Sequence, residues 1–128
     1  MSIEDDQVQA DMLEYHLLQL NMCNEVVTAP TLAAAREALE SDTFDLIISD
    51  IRLPDGNGID FIEETRAKHP HLAFIVLSAL NDMDYVAKAD RLGVVLYVRK
   101  PITVALVAEI AKEFEKINFG LMTSEAAL

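Results

Sequence analysis

Glu4-Asp5-Asp6, Asp50, Ser78 and Lys100 are the side chains of this sequence whose types and spacing could do chemistry together. Apolar runs lead to each of them: "MSI" to the first acids, "DLIIS" to Asp50, "LAFIVL" to Ser78 and "VVLYV" to Lys100. Carboxylates gathered in one place repel one another and raise one another's pKa values. A hard divalent cation such as Mg2+ removes that conflict, since it takes oxygen ligands and typically binds through one or two carboxylates plus a phosphate. Asp50 could then stay ionised and act as a nucleophile, forming an acyl phosphate. Lys100 would supply an ammonium, and Ser78 a hydroxyl, for the oxygens of the transferring group.

These groups meet only if the chain folds to bring four apolar runs side by side. "EVVTA" (25–29), "DLIIS" (45–49), "LAFIVLS" (72–78) and "VVLYV" (94–98) read as strands, and a short apolar start precedes the first acids. The continuous apolar runs are those of strands covered on both faces. Between them lie helical stretches. Residues 8–20 place Leu13, Leu17 and Leu20 on one stripe, and 31–41 carry Leu32, Ala35 and Leu39 together. Residues 59–69 hold acids early and bases late, with Pro70 beyond. Asn81 or Asp82 is placed to cap 83–92 and Gly93 to stop it. Thr103 opens 104–117, where Val107, Ile110, Ala111 and Phe114 keep helical spacing.

Strands alternating with long helices mean right-handed crossovers and a mostly parallel sheet. The fold class is therefore α/β: a five-stranded, doubly wound sheet whose site lies beyond the carboxyl ends of the strands, where strand order reverses. Glu4-Asp5-Asp6, Asp50, Ser78 and Lys100 all fall at such ends.

At 128 residues the chain suits one domain, and 52% apolar residues suit a packed core. Its net charge of −12 weighs against nucleic acid, because phosphate-backbone binding needs clustered cations. No apolar run has the length to span a bilayer, and "MSIEDDQ" lacks a signal-peptide pattern, so a cytoplasmic location is expected. Cys23 reads as a small buried apolar residue. His16, His69 and His71 show no metal-ligand spacing; His16 reads as helix surface and His69 as a partner for a helix C-terminus.

The acids after the first strand, "DIRLPDGNG" around Asp50, "LSA" with Ser78, and "YVRKP" with Tyr97, Lys100 and Pro101 together resemble the receiver domain of two-component response regulators. The resemblance covers roughly residues 1–117 as the receiver, leaving 118–128 as a C-terminal tail or the start of a linker. It implies a flavodoxin-like (βα)5 fold with strand order 2-1-3-4-5. Asp50 would be phosphorylated by a sensor histidine kinase or a histidine phosphotransfer protein, with Mg2+ as cofactor. The metal would be held by Asp5 and Asp50, with Glu4 or Asp6, and by the backbone carbonyl of Arg52. The "IEDD" match favours Glu4 and Asp5, whereas counting back from "EVVTA" favours Asp5 and Asp6. Ser78 and Lys100 would hold the phosphoryl group, Ser78 and Tyr97 would form the switch pair, and the Lys100–Pro101 bond would be cis. Enzymatic character would be confined to phosphorylation and dephosphorylation at Asp50.

Three departures stand out. Only "MSI" precedes the acids, so that edge of the core is expected to be thin. Val94-Val95-Leu96 puts bulky residues before Tyr97, close to the switch face. Arg52 and Leu80 occupy positions that tune phosphate lifetime in the family. The output would run through docking on 82–117, either to a separate downstream protein or to a fused effector domain. The alternative is a pseudo-receiver of the same fold that binds partners without phosphorylation. A haloacid-dehalogenase-type hydrolase fails on Arg52, which stands where a general acid is needed. Taken singly, Pro54, Asp55, Gly56, Asn57 and Gly58 are turn residues, with glycine and asparagine tolerating positive φ. The Met and Leu positions of the first helix read as core.

Overall fold

The computed structural model describes residues 1–21, 23, 25–79 and 83–127, with side chains as far as Lys116. In chain order the elements are β1 (Ser2–Ile3), α1 (Gln7–Gln19), β2 (Thr28–Ala29), α2 (Leu32–Ser41), β3 (Leu46–Asp50), β4 (Arg52–Leu53), β5 (Gly56–Asn57), α3 (Gly58–Lys68), β6 (Ala73–Ser78), α4 (Met83–Arg91), β7 (Leu96–Arg99) and α5 (Val104–Ala127). Leu80, Asn81 and Asp82 lie outside the described residues. The last helix continues to Ala127 through most of the segment read as tail or linker.

Five strands pair in parallel in the order β2-β1-β3-β6-β7, the doubly wound arrangement expected. Side-chain alternation along β3 and β6 builds a core on each face. Ile47, Phe74 and Val76 face α2 and α3 residues such as Ala35, Phe61 and Ile62. Ile48, Ile75 and Leu77 face α1 and α5, meeting Leu13, Leu17, Val107 and Ile110. Burial on both faces explains why these strands are apolar without alternation, and each such side chain is worth about 1.5–3 kcal/mol. Helix starts follow local chemistry. Asp6, Thr31, Asn57 and Thr103 accept from the backbone N–H groups of Gln9, Ala34, Ile59 and Leu106. Gly93 leaves α4 at φ +73°.

The strand after Met1 is only two residues long, and a cavity of about 360 Å3 opens at its amino end, lined by Met1, Leu46, Ile48 and Phe114 among others. The edge is thin, as expected from "MSI". Val94 packs on the α2–α3 side and Val95 and Leu96 on the α1–α5 side, so the bulky run is absorbed into both cores.

Three expectations need correction. Met12, Leu18 and Leu20 are 40%, 39% and 46% exposed rather than core, because α1 buries only Ala10, Leu13 and Leu17. Cys23 is half-buried, not fully buried. The "PDGNG" loop contains a two-residue antiparallel hairpin, β4–β5, and within 56–58 only Gly56 has positive φ. No helix among the described residues is long and apolar enough to cross a membrane.

Arg66 braces the far side of the sheet. Its guanidinium donates to the carbonyls of Leu92, Pro70, Leu72 and Gly93 at 2.8–3.1 Å and lies over the Phe74 ring at 5.0 Å. One side chain thus ties α3 to the start of β6 and to the turn after α4. Arg66→Met keeps the apolar stem but drops all four bonds. The expected loss is about 2–3 kcal/mol, since bonds to a charged donor are worth more than neutral ones. Urea unfolding should show a lower midpoint with unchanged slope.

Candidate functional site

Strand order reverses between β1 and β3, and their carboxyl ends deliver the acids side by side. The carboxylates of Glu4, Asp5 and Asp50 lie within 4.8 Å of one another. Lys100 reaches into this group, its Nζ donating to Glu4 Oε2 at 2.7 Å and to Asp50 Oδ2 at 3.1 Å. Glu4, Asp50 and Lys100 keep only 6%, 14% and 11% of their side-chain surface exposed. Asp50 Oδ1 also accepts the N–H of Ile51 at 2.8 Å.

Asp6 is a neighbour of the cluster but not a member. Its carboxylate turns toward α1 and accepts from Gln9 N, while its own N–H donates to Glu4 Oε1. Of the two acid pairs legible in the sequence, the geometry gathers Glu4 with Asp5.

Ser78 is buried at the end of β6, where its carbonyl accepts the Lys100 N–H at 2.8 Å. The Lys100–Pro101 bond is cis. Tyr97 packs partly buried against the α2–α3 core, and its hydroxyl is buried without a hydrogen-bond partner among the described residues. Arg52 sits exposed in the β4–β5 hairpin. His16, His69 and His71 play no part in the cluster, and His69 is the C-cap of α3.

Burial and the shared hydrogen bonds pull in opposite directions on both Glu4 and Lys100. Burial pushes the Glu4 carboxyl above its ordinary value, and its bond to Lys100 only partly offsets this. Burial pulls Lys100 down, but its bonds to Glu4 and Asp50 outweigh that and leave it raised. A raised lysine binds its proton more tightly in the folded state. Its contribution is complete below the ordinary 10.5 and fades as pH climbs through the higher folded value. In pH-dependent unfolding, Lys100→Met should lack that alkaline loss while the parent chain shows it.

The donor set suits a hard cation. Three carboxylates gather beside a single ammonium, which bonds only Glu4 and Asp50, so negative charge remains to be balanced, and all the side-chain donors are oxygens. Sequence reasoning missed one feature beside the cluster. Val8, Met12 and Tyr15, 68%, 40% and 60% exposed, form a second apolar stripe on α1 directly after the acids. Their i, i+4, i+7 spacing was the available signal, masked because the opposite face of the helix is apolar too.

The chain is thus a doubly wound α/β domain with an acidic pocket at the strand ends, a lysine reaching into it and a buried hydroxyl at the next strand end. Residues 1–112 match the family described as the response regulator receiver domain. The chain belongs to that family, whose setting is two-component signalling. It is similar to the transcriptional regulatory protein CitB of Klebsiella pneumoniae, 31% identical over 98% of this chain and 53% of that protein. The chain thus spans about half the length of that relative. Among solved structures, a receiver domain protein from Clostridium thermocellum is 26% identical with a TM-score of 0.79, covering 95% of each chain. A CheY-like receiver domain protein from Methanospirillum hungatei JF-1 has a TM-score of 0.83 at 22% identity over 93% of this chain and 94% of its own, a likeness of fold alone.

Proposed function

We propose that this chain is a phosphorylation-switched receiver that takes a phosphoryl group onto Asp50 from a sensor histidine kinase or a histidine phosphotransfer protein. The observation that carries this reading is the gathering of Glu4, Asp5 and Asp50 where strand order reverses, with Lys100 bonded to Glu4 and Asp50. An Asp50 carboxylate oxygen attacks phosphorus as the donor's phosphorus–nitrogen bond breaks. The imidazole leaves with the electron pair and takes a proton from solvent. Glu4, Asp5 and Asp50, with the Arg52 carbonyl, would hold Mg2+, which supplies positive charge to the phosphoryl oxygens when bound. Lys100 balances charge on the same oxygens, and the Ser78 hydroxyl donates to one of them.

Switching follows from Ser78 and Tyr97. A buried tyrosine hydroxyl without a partner is costly, so drawing Ser78 toward a phosphate would alter the balance between packings in which Tyr97 does or does not find one. The Val8–Met12–Tyr15 stripe offers an apolar surface to a phosphodonor beside the acceptor. Residues 1–117 act as the receiver and 118–128 lead onward. CitB is named a transcriptional regulatory protein, and the length it has beyond the match supports a fused effector as output; a separate docking partner would use 82–117. This reading goes with a cytoplasmic location, and the net charge of −12 weighs against direct contact with nucleic acid. A constitutive interaction module is not favoured, because the acidic triad and its lysine are intact.

Intact-protein mass spectrometry after incubation with acetyl phosphate tests the reading. One phosphoryl adduct is expected, and only with Mg2+. A folded protein that takes up none would return the question to the constitutive module.

A further inference from the structure

Asp55 looks like a turn residue in sequence, yet its carboxylate does something a turn does not need. Oδ1 accepts the N–H of Leu32 at 2.9 Å and Oδ2 accepts the N–H of Ala33 at 2.9 Å. Thr31 Oγ1 takes the N–H of Ala34 at 3.1 Å. The first three free donors of α2 are therefore satisfied, two of them by a side chain from the loop after the acceptor. A carboxylate at a helix N-terminus also meets the positive end of the helix dipole. The two amide bonds hold the Asp55 carboxyl below its ordinary value.

The contact is close as well as polar. A Cβ on Gly56 would stand 2.9 Å from Leu32 Cδ1, so the hairpin lies directly against the first turn of α2. Within that hairpin Arg52 pairs with Asn57 and Leu53 with Gly56. Its far end is fixed by Asn57 Oδ1, which accepts from Ile59 N at 2.7 Å, and by Gly58 N donating to the Ile51 carbonyl at 2.7 Å. The hairpin is thus pinned to α3 at one end and to α2 at the other.

We propose that Asp55 is a positioning residue of the acceptor site: by clamping the start of α2 it fixes the Arg52–Asn57 hairpin, and with it the Arg52 carbonyl that would help to hold a divalent cation. This rests on the receiver reading above. Asp55 itself touches neither the acids nor Lys100. Its effect is to remove, before any cation arrives, the freedom of the backbone that carries one ligand. Groups that orient metal ligands from behind typically govern affinity by tenfold or more.

The test is a Mg2+ titration of the intact chain followed by amide NMR shifts of residues 51–58, on the parent, Asp55→Ala, Asp55→Asn and Thr31→Ala. Asp55→Ala should weaken Mg2+ by about tenfold. Asp55→Asn, which keeps one acceptor oxygen, should fall between. Thr31→Ala removes only a local cap and should titrate as the parent does. An unchanged Asp55→Ala titration, or equal weakening in Thr31→Ala, would overturn the proposal. Should the parent bind no Mg2+, the receiver reading fails rather than the clamp. Hydrogen exchange at Leu32, Ala33 and the hairpin then decides: faster exchange in Asp55→Ala sustains the clamp, and unchanged exchange ends it.

Discussion

Asp50→Asn is expected to carry no phosphoryl group after acetyl phosphate and Mg2+, whereas the parent chain carries one. The substitution is nearly isosteric, and the side-chain oxygen can still accept the Ile51 N–H that Oδ1 now receives at 2.8 Å. What disappears is the anionic nucleophile, because an amide has no comparably reactive lone pair at neutral pH. The fold should survive. Glu4 keeps its 2.7 Å bond to Lys100, and removing one of three crowded carboxylates relieves repulsion. Urea unfolding should therefore show only a small loss of stability, from the weakened Lys100 bond to Asp50, beside a complete loss of the adduct in the mass spectrum. An adduct of equal size on Asp50→Asn would assign the acceptor to another residue.

Gly58→Ala should damage both stability and chemistry. Gly58 opens α3 directly behind the acceptor, and a Cβ there would lie 2.0 Å from the Asp50 carbonyl oxygen and 2.8 Å from Ser49 Oγ. Neither neighbour can step aside cheaply. The Asp50 oxygen belongs to the main chain of a central strand, and the Ser49 hydroxyl already donates to it at 2.8 Å. Forcing them apart costs at least about 3 kcal/mol, the upper part of the range for overpacked cores. In a chain of this size that lowers the melting temperature by about 10 °C. Because the displaced carbonyl is that of Asp50, phosphoryl uptake by the folded fraction should also slow. A melting temperature within about 2 °C of the parent would show that the strand end yields.

The reason for glycine at 58 illustrates how a sequence is read correctly for an incomplete reason. "GNG" announces a turn, and positive φ is the usual explanation. Positive φ is needed at Gly56 but not at Asn57, which caps α3 at φ −110°, nor at Gly58, which is glycine for want of space. Local propensity was visible in the letters; the approach of β3 to α3 was not. The same holds for α1, where Leu13 and Met12 are equally apolar yet one is buried and the other exposed. With apolar residues on both faces, periodicity alone does not say which face meets the sheet.

Much was determined by the sequence itself. Alternating apolar runs and amphipathic helices dictate a parallel sheet wound on both faces, and residues at strand ends must then share one edge. That reasoning alone places Asp50, Ser78, Lys100 and the first acids near one another. Tertiary structure decided what spacing leaves open, because it depends on which way each backbone turns. It gathered Glu4 with Asp5 while Asp6 turned away to cap α1, set Lys100 between two carboxylates, and laid Asp55 across the start of α2. Each of those contacts joins segments through a turn or across the sheet, where a rotation of one peptide redirects a side chain without changing the pattern of letters.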